Sequence, residues 1–124
     1  MNLLLDTHAF LWWRLNDRHL KPEARRAIAT ATHVRVSAAS AWEVSIKAAL
    51  GRLHLADPFA TLVERSGFDP LPITFAHAAR VATLANHHAD PFDRMLIAQA
   101  QNEALTIVTH DRAFEPYAVP VVWT

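Results

Sequence analysis

Short apolar runs separated by amphipathic stretches set the rhythm of this chain. Leu3-Leu4-Leu5, Val34-Arg35-Val36-Ser37, Thr106-Ile107-Val108-Thr109 and Val119 to Trp123 are brief and rich in branched side chains, the pattern of strands buried on both faces. Helical periodicity fills the intervals. Asp6-Thr7 caps a first helix whose apolar positions include Phe10, Leu11 and Trp13, and Lys21-Pro22-Glu23 opens a second through about Ala31. An Ala-rich helix from about Ser40 to Leu50 places Glu43, Ile46, Lys47 and Leu50 near one face, with Gly51 closing it. Asp57-Pro58 starts a helix that stops near Gly67, Pro70 and Pro72 bracket a turn, and Ile73 is assigned to a short strand before a helix from Phe75 to His87. Asp90-Pro91 caps the last helix, through about Ala104. Strands alternating with helices predict an α/β fold with a parallel sheet covered on both faces.

Composition narrows the picture. With 124 residues and 52% hydrophobic content, the chain is expected to form one domain over residues 1–124. Twelve basic residues balance twelve acidic ones, so bulk charge argues for neither a nucleic-acid nor a membrane partner. A local basic stretch, Arg14, Arg18, Lys21, Arg25, Arg26 and Arg35, outnumbers Asp17 and Glu23, and reads either as a contact surface or as a solvated helical face. There is no cysteine, which removes disulfide frameworks and thiolate zinc sites and suits a reducing compartment. The N-terminal apolar run is broken by Asp6 and His8, lacks a basic leader and is far too short to span a membrane. A soluble cytoplasmic protein is expected. The repeated Asp-Pro-Phe at Asp57 and Asp90 is the same helix-start chemistry used twice, not a structural repeat.

Candidate chemistry centres on four acids. Asp6, Glu43, Asp93 and Asp111 each follow a short apolar run or fall near the start of a helix, positions that gather at one edge of an α/β sheet. Each also has a structural reading. Asp6 and Asp111 suit caps after their strands, Ser40-x-x-Glu43 is a capping box, and Asp93 lies near a helix N-terminus that favours negative charge. Taken together they favour a cation, because clustered carboxylates raise one another's pKa unless a metal compensates. Oxygen donors without cysteine select Mg²⁺ or Mn²⁺ over zinc. The hydroxyls of Thr7, Ser37, Ser40 and above all Thr109, two residues before Asp111, can hold a carboxylate or orient a water. Lys47 pairs with Glu43 at helical spacing, and Arg94 binds phosphate or pairs locally, the latter favoured. Adjacent His87 and His88 point apart on a helix and so share no metal, while His8 and His110 tune or cover the site. Trp12, Trp13 and Trp42 read as core more than as stacking platforms.

Four segments carry a resemblance: Leu3-Leu4-Leu5-Asp6-Thr7-His8, Ser40-Ala41-Trp42-Glu43-Val44-Ser45-Ile46-Lys47, Asp90-Pro91-Phe92-Asp93-Arg94-Met95-Leu96-Ile97-Ala98-Gln99-Ala100, and Thr109-His110-Asp111. In this order the chain resembles a PIN-domain ribonuclease, and more closely a VapC-type toxin of bacterial toxin–antitoxin pairs. The resemblance implies a three-layer α/β/α fold with a mainly parallel sheet. It implies one or two Mg²⁺ or Mn²⁺ ions held by Asp6, Glu43, Asp93 and Asp111, with Thr109 as a supporting hydroxyl. Asp90 is an outer ligand or an N-cap, and Asp111 is the weakest of the four. Further implications are metal-assisted hydrolysis of RNA phosphodiesters, with transfer or ribosomal RNA as target, homodimerisation, and neutralisation by a VapB-type antitoxin that inserts a segment into the groove.

Three rival readings remain from the residues. One is a PIN nuclease of RNA processing that is not a toxin. A haloacid-dehalogenase-like phosphatase needs a second Asp two residues after the first, where His8 stands. A Mg²⁺-binding phosphoacceptor receiver module needs an Asp after a middle strand, and Ser37 follows the second strand here.

Overall fold

The computed structural model describes residues 1–124. Five strands, β1 (Asn2–Leu5), β2 (His33–Ser37), β3 (Asp69–Leu71), β4 (Thr106–Thr109) and β5 (Val121–Trp123), alternate with six helices. These are α1 (Thr7–Leu15), α2 (Pro22–Thr30), α3 (Ala38–Ala49), α4 (Phe59–Arg65), α5 (Phe75–Val81) and α6 (Pro91–Glu103), and a 3₁₀ turn spans Arg112–Phe114. The strands make one sheet in the order β3-β2-β1-β4-β5, parallel at every pairing. A receiver-type sheet runs 2-1-3-4-5, so the strand order separates this chain from that rival.

Period-two alternation explains the three layers. Leu3 and Leu5 project into a cluster with Phe10, Ile28, Val34 and Val36, whereas Leu4 joins Leu71, Leu96, Ile97 and Ile107 on the opposite face. All three leucines are fully buried, and each buried side chain of this size contributes about 1.5–3 kcal/mol. Helices α1, α2 and α4 cover the first face; α3 and α6 cover the second. No helix is long and apolar enough to cross a membrane.

Several boundaries differ from the sequence reading. Helix α3 begins at Ala38 because the Ser37 hydroxyl accepts from the Ala39 N–H. Ser40 is therefore inside the helix and buried, Ser40-x-x-Glu43 is not a capping box, and Glu43 lies in the second turn. Asp57 does not cap α4 but pairs with Arg65 at 3.1 Å. The third strand is Asp69–Leu71, with Pro70 in its centre, and leaves out Ile73. Helix α5 stops at Val81 rather than His87, because Arg94 reaches in to bond the carbonyls of Val81, Ala85 and His88. β5 begins at Val121, after Pro120, which has no N–H for a ladder but whose carbonyl accepts from Ile107.

A polar thread crosses the apolar layer under α6. Ser37 donates to Gln99 Oε1 at 2.6 Å, Gln99 Nε2 lies 3.4 Å from His77 Nδ1, and His77 Nε2 lies 3.3 Å from Glu103. Gln99 is fully buried and His77 nearly so, so this thread satisfies groups whose burial alone would be costly. It anchors the Ser37 cap from which α3 starts.

Helix α6 ends on Ala104, held at φ 55°, ψ 50° with its N–H bonded to the Ala100 carbonyl. That left-handed position disfavours any side chain bearing a Cβ. Ala104→Gly is expected to raise the unfolding free energy by about 1 kcal/mol, read as a higher urea midpoint at unchanged slope. An unchanged or lower midpoint would show that the position carries no strain.

Candidate functional site

The parallel register of β1 with β4 sets Leu5 opposite Val108, which brings the next residues, Asp6 and Thr109, side by side. This is the point where strand order reverses on either side of β1, so the loops leaving β1 and β4 diverge and open a crevice at the strand ends. Asp6 is 6% exposed. Its Oδ1 accepts from the Ala9 N–H at 2.8 Å as the cap of α1, and its Oδ2 accepts from the Thr109 hydroxyl at 2.5 Å. Thr109 Oγ1 in turn accepts from the Asp111 N–H at 3.0 Å, and Asp111 caps the 3₁₀ turn through the Ala113 N–H.

Glu43 enters from α3. Its Oε1 lies 2.7 Å from Thr7 Oγ1, and its Oε2 takes a bond from Lys47 at 2.9 Å. Thr7 Oγ1 also lies 2.9 Å from Ser40 Oγ. A carboxylate only accepts, so the single Thr7 proton goes to Glu43 and a Thr7 lone pair faces Ser40. Thr7 follows Asp6 directly, and its hydroxyl thereby links the first acid's loop to the second acid.

Asp93 sits in the first turn of α6, its N–H bonded to Asp90 Oδ1 at 3.0 Å. Asp90 also takes the Phe92 N–H, so the N-cap reading of Asp90 is the one its hydrogen bonds express.

Electrostatics reveal how close these groups stand. Burial, then the charges of Asp90, Asp6, Asp111 and Glu43, push the Asp93 carboxyl up to about 7. Burial also raises Asp6, against hydrogen bonds from Thr109 and the Ala9 N–H and the charge of His8, with Asp111 adding to the rise. All four acids predicted from the sequence therefore share one electrostatic neighbourhood. They are not drawn into a ready coordination sphere: no three His, Asp or Glu side chains are gathered tightly enough to hold one ion together. Asp6, Glu43 and Asp111 are tied instead to local donors, whereas the Asp93 carboxylate accepts no hydrogen bond.

Other expectations fare differently. Arg94 neither binds Asp93 nor stands free for phosphate; besides the three carbonyls it reaches the Tyr117 hydroxyl at 3.2 Å. His8 stacks on Trp12 and its charge lowers Asp6, whereas His110 Nδ1 meets the Thr124 carbonyl. His87 packs edge-on against Tyr117, whereas His88 Nε2 lies 3.6 Å from Asp93 Oδ2. Trp12 and Trp13 pack against the core, but Trp42 is 58% exposed and meets Phe92. In the basic stretch, Arg14 bonds Ser66 and Arg25 lies over Trp13 while bonding the Asp17 carbonyl. Tyr117 was missed, since nothing in its local sequence points to partners at His88 and Arg94. A concavity of about 820 Å³ between α4 and β3 is lined by none of the four acids.

Comparison with known proteins agrees with this fold. The PIN domain profile matches residues 3–120. Ribonuclease VapC22 of Mycobacterium tuberculosis is 30% identical to the chain, with 98% of each sequence covered. Among solved structures, VapBC2 of Rickettsia felis, bound to a DNA fragment from their promoter, superposes with a TM-score of 0.75 at 11% identity over 100% of this chain and 99% of that one. VapBC-5 of M. tuberculosis, a member of the VapBC family of toxin–antitoxin systems, gives 0.67 at 18% identity, covering 99% and 98%.

The raised Asp93 carboxyl has a stability consequence. Below pH 3.8 the group is protonated in both folded and unfolded chains; as pH rises toward 7 the unfolded chain releases its proton first, so this group's contribution declines and levels off above 7. In metal-free buffer, Asp93→Asn is therefore expected to melt with the wild type near pH 3.5 and at least about 5 °C above it at pH 8. Thermal melts with EDTA across that range test this, and a variant that is never more stable would refute the repulsion.

Proposed function

The chain belongs to the PIN domain family, and from that membership we infer that it is a Mg²⁺- or Mn²⁺-dependent endoribonuclease, the toxin of a VapBC-type pair. The observation that carries this reading is the charge cluster at the strand ends, where Asp6, Glu43 and Asp111 all add to the rise of the Asp93 carboxyl. A cluster in that state gains from a divalent cation, and its all-oxygen donors suit Mg²⁺ or Mn²⁺. Asp6, Asp93 and Glu43 would hold the ion, with Asp111 at the margin.

When bound, such an ion supplies the Lewis acidity that lets water attack a phosphodiester and that offsets charge on the leaving oxygen. The protein's own contribution is positional. Thr109 fixes the Asp6 carboxylate from one side and the Ala9 N–H from the other. Thr7 and Lys47 fix Glu43. The strand-end crevice leaves the acids on an open edge that an extended polynucleotide can approach, and no side chain is needed as nucleophile. Selectivity for transfer or ribosomal RNA would then rest on loop shape, as single-stranded RNA recognition does.

The VapBC complexes among the structural neighbours support a VapB-type antitoxin as the partner, and a homodimer acting in the cytoplasm completes this reading.

Purified protein incubated with total cellular RNA and Mg²⁺ or Mn²⁺ is expected to give discrete cuts that EDTA abolishes. Asp6→Asn and Asp93→Asn should each lower turnover at least about 100-fold while leaving RNA binding nearly intact, because the charge they help stabilise develops in the transition state. Full metal-dependent activity in both variants would dismiss the assignment of these acids.

A further inference from the structure

Beside Asp93 lies a hydrogen-bond chain whose proton positions follow from counting donors. The Tyr117 hydroxyl, buried beneath the segment between α5 and α6, has three neighbours. The His88 backbone N–H donates to it at 3.3 Å, Arg94 Nη1 donates to it at 3.2 Å, and His88 Nδ1 lies at 2.9 Å. Neither N–H can accept, so both lone pairs of the phenol oxygen are taken. Its own proton has one acceptor left, His88 Nδ1. The neutral imidazole must then carry its proton on Nε2.

That nitrogen is buried and has no hydrogen-bond partner. Asp93 Oδ2 stands 3.6 Å from it, slightly beyond bonding range. A small rotation of the Asp93 side chain would close this gap, and an unpaired buried N–H favours that rotation by the desolvation it relieves. Arg94 cannot drift away from Tyr117, because it also grips the carbonyls of Val81, Ala85 and His88.

We propose that His88 is a positioning residue for Asp93: a neutral Nε2–H donor, locked in that tautomer by Tyr117 and Arg94, that orients one carboxylate oxygen and leaves the other for a cation. The proposal rests on the reading of Asp93 as a metal ligand. Outer partners that orient ligating groups typically change metal affinity by about 10–100-fold when lost.

Two measurements on the whole protein test it. Long-range ¹H–¹⁵N correlation spectra of the wild type at pH 8 should show His88 protonated at Nε2; protonation at Nδ1 would overturn the proposal without any variant. Mn²⁺ binding, followed without RNA by the electron paramagnetic resonance signal of the free ion, should weaken at least about tenfold in His88→Ala. His88→Gln, whose amide N–H reaches the same place, should recover most of that loss. Tyr117→Phe should fall between and give mixed tautomer signals. His88→Gln and Tyr117→Phe keep the test alive where the alanine variant fails to fold. Wild-type affinity in the His88 variants together with weak binding in Asp93→Asn would reject His88 alone. Wild-type affinity in Asp93→Asn would instead reject Asp93 as a ligand.

Discussion

The parallel pairing of Leu3–Leu5 with Thr106–Val108 is the constraint on which the rest of the acidic edge depends. Two segments about a hundred residues apart in sequence are brought into register by buried apolar side chains. The residue that follows each paired run, Asp6 on one side and Thr109 on the other, then has no freedom about its neighbour. The Asp6–Thr109 bond is a product of that register, and it closes the end of the sheet by joining the first loop to the last. A one-residue slip would turn Leu3 and Leu5 to the other layer, so the hydrophobic pattern that fixes the fold also fixes the acid.

Around this point the structure balances repulsion with local satisfaction. Asp6, Glu43, Asp90 and Asp111 are each held by at least one N–H or hydroxyl donor. Asp93 is the exception: its carboxylate accepts no hydrogen bond, and it is the group pushed up to about 7. Its raised carboxyl reflects burial first and the unresolved charge of its neighbours second. A donor able to relieve it, the His88 imidazole, stands one short step away.

Much of this was legible from residue order, for identifiable reasons. Strands such as Leu3–Leu5 and Thr106–Thr109 are short, apolar and bounded by polar caps, and pattern alone locates them. Asp6, Glu43, Asp93 and Asp111 followed, because strand ends and helix starts converge in any parallel α/β sheet. What escaped were features set by tertiary partners. Helix α5 is cut short by an arginine from the following helix, and Ser37, not Ser40, starts α3 because Gln99 holds its hydroxyl. Tyr117 was silent because its contacts are 23 and 29 residues away in sequence. Trp42 looked like core on spacing, yet it faces outward, since period alone does not say which side of a helix meets the sheet.

Pro70 sits in the middle of a three-residue edge strand. It has no N–H to offer, and the strand is too brief to template a long ladder. The sheet thus stops at five strands on this side by its own chemistry. Fibrous growth, in which copies add edge to edge, finds no template at β3. Association through this flank has to use side chains and helix surfaces, which discriminate between partners far better than an exposed backbone does.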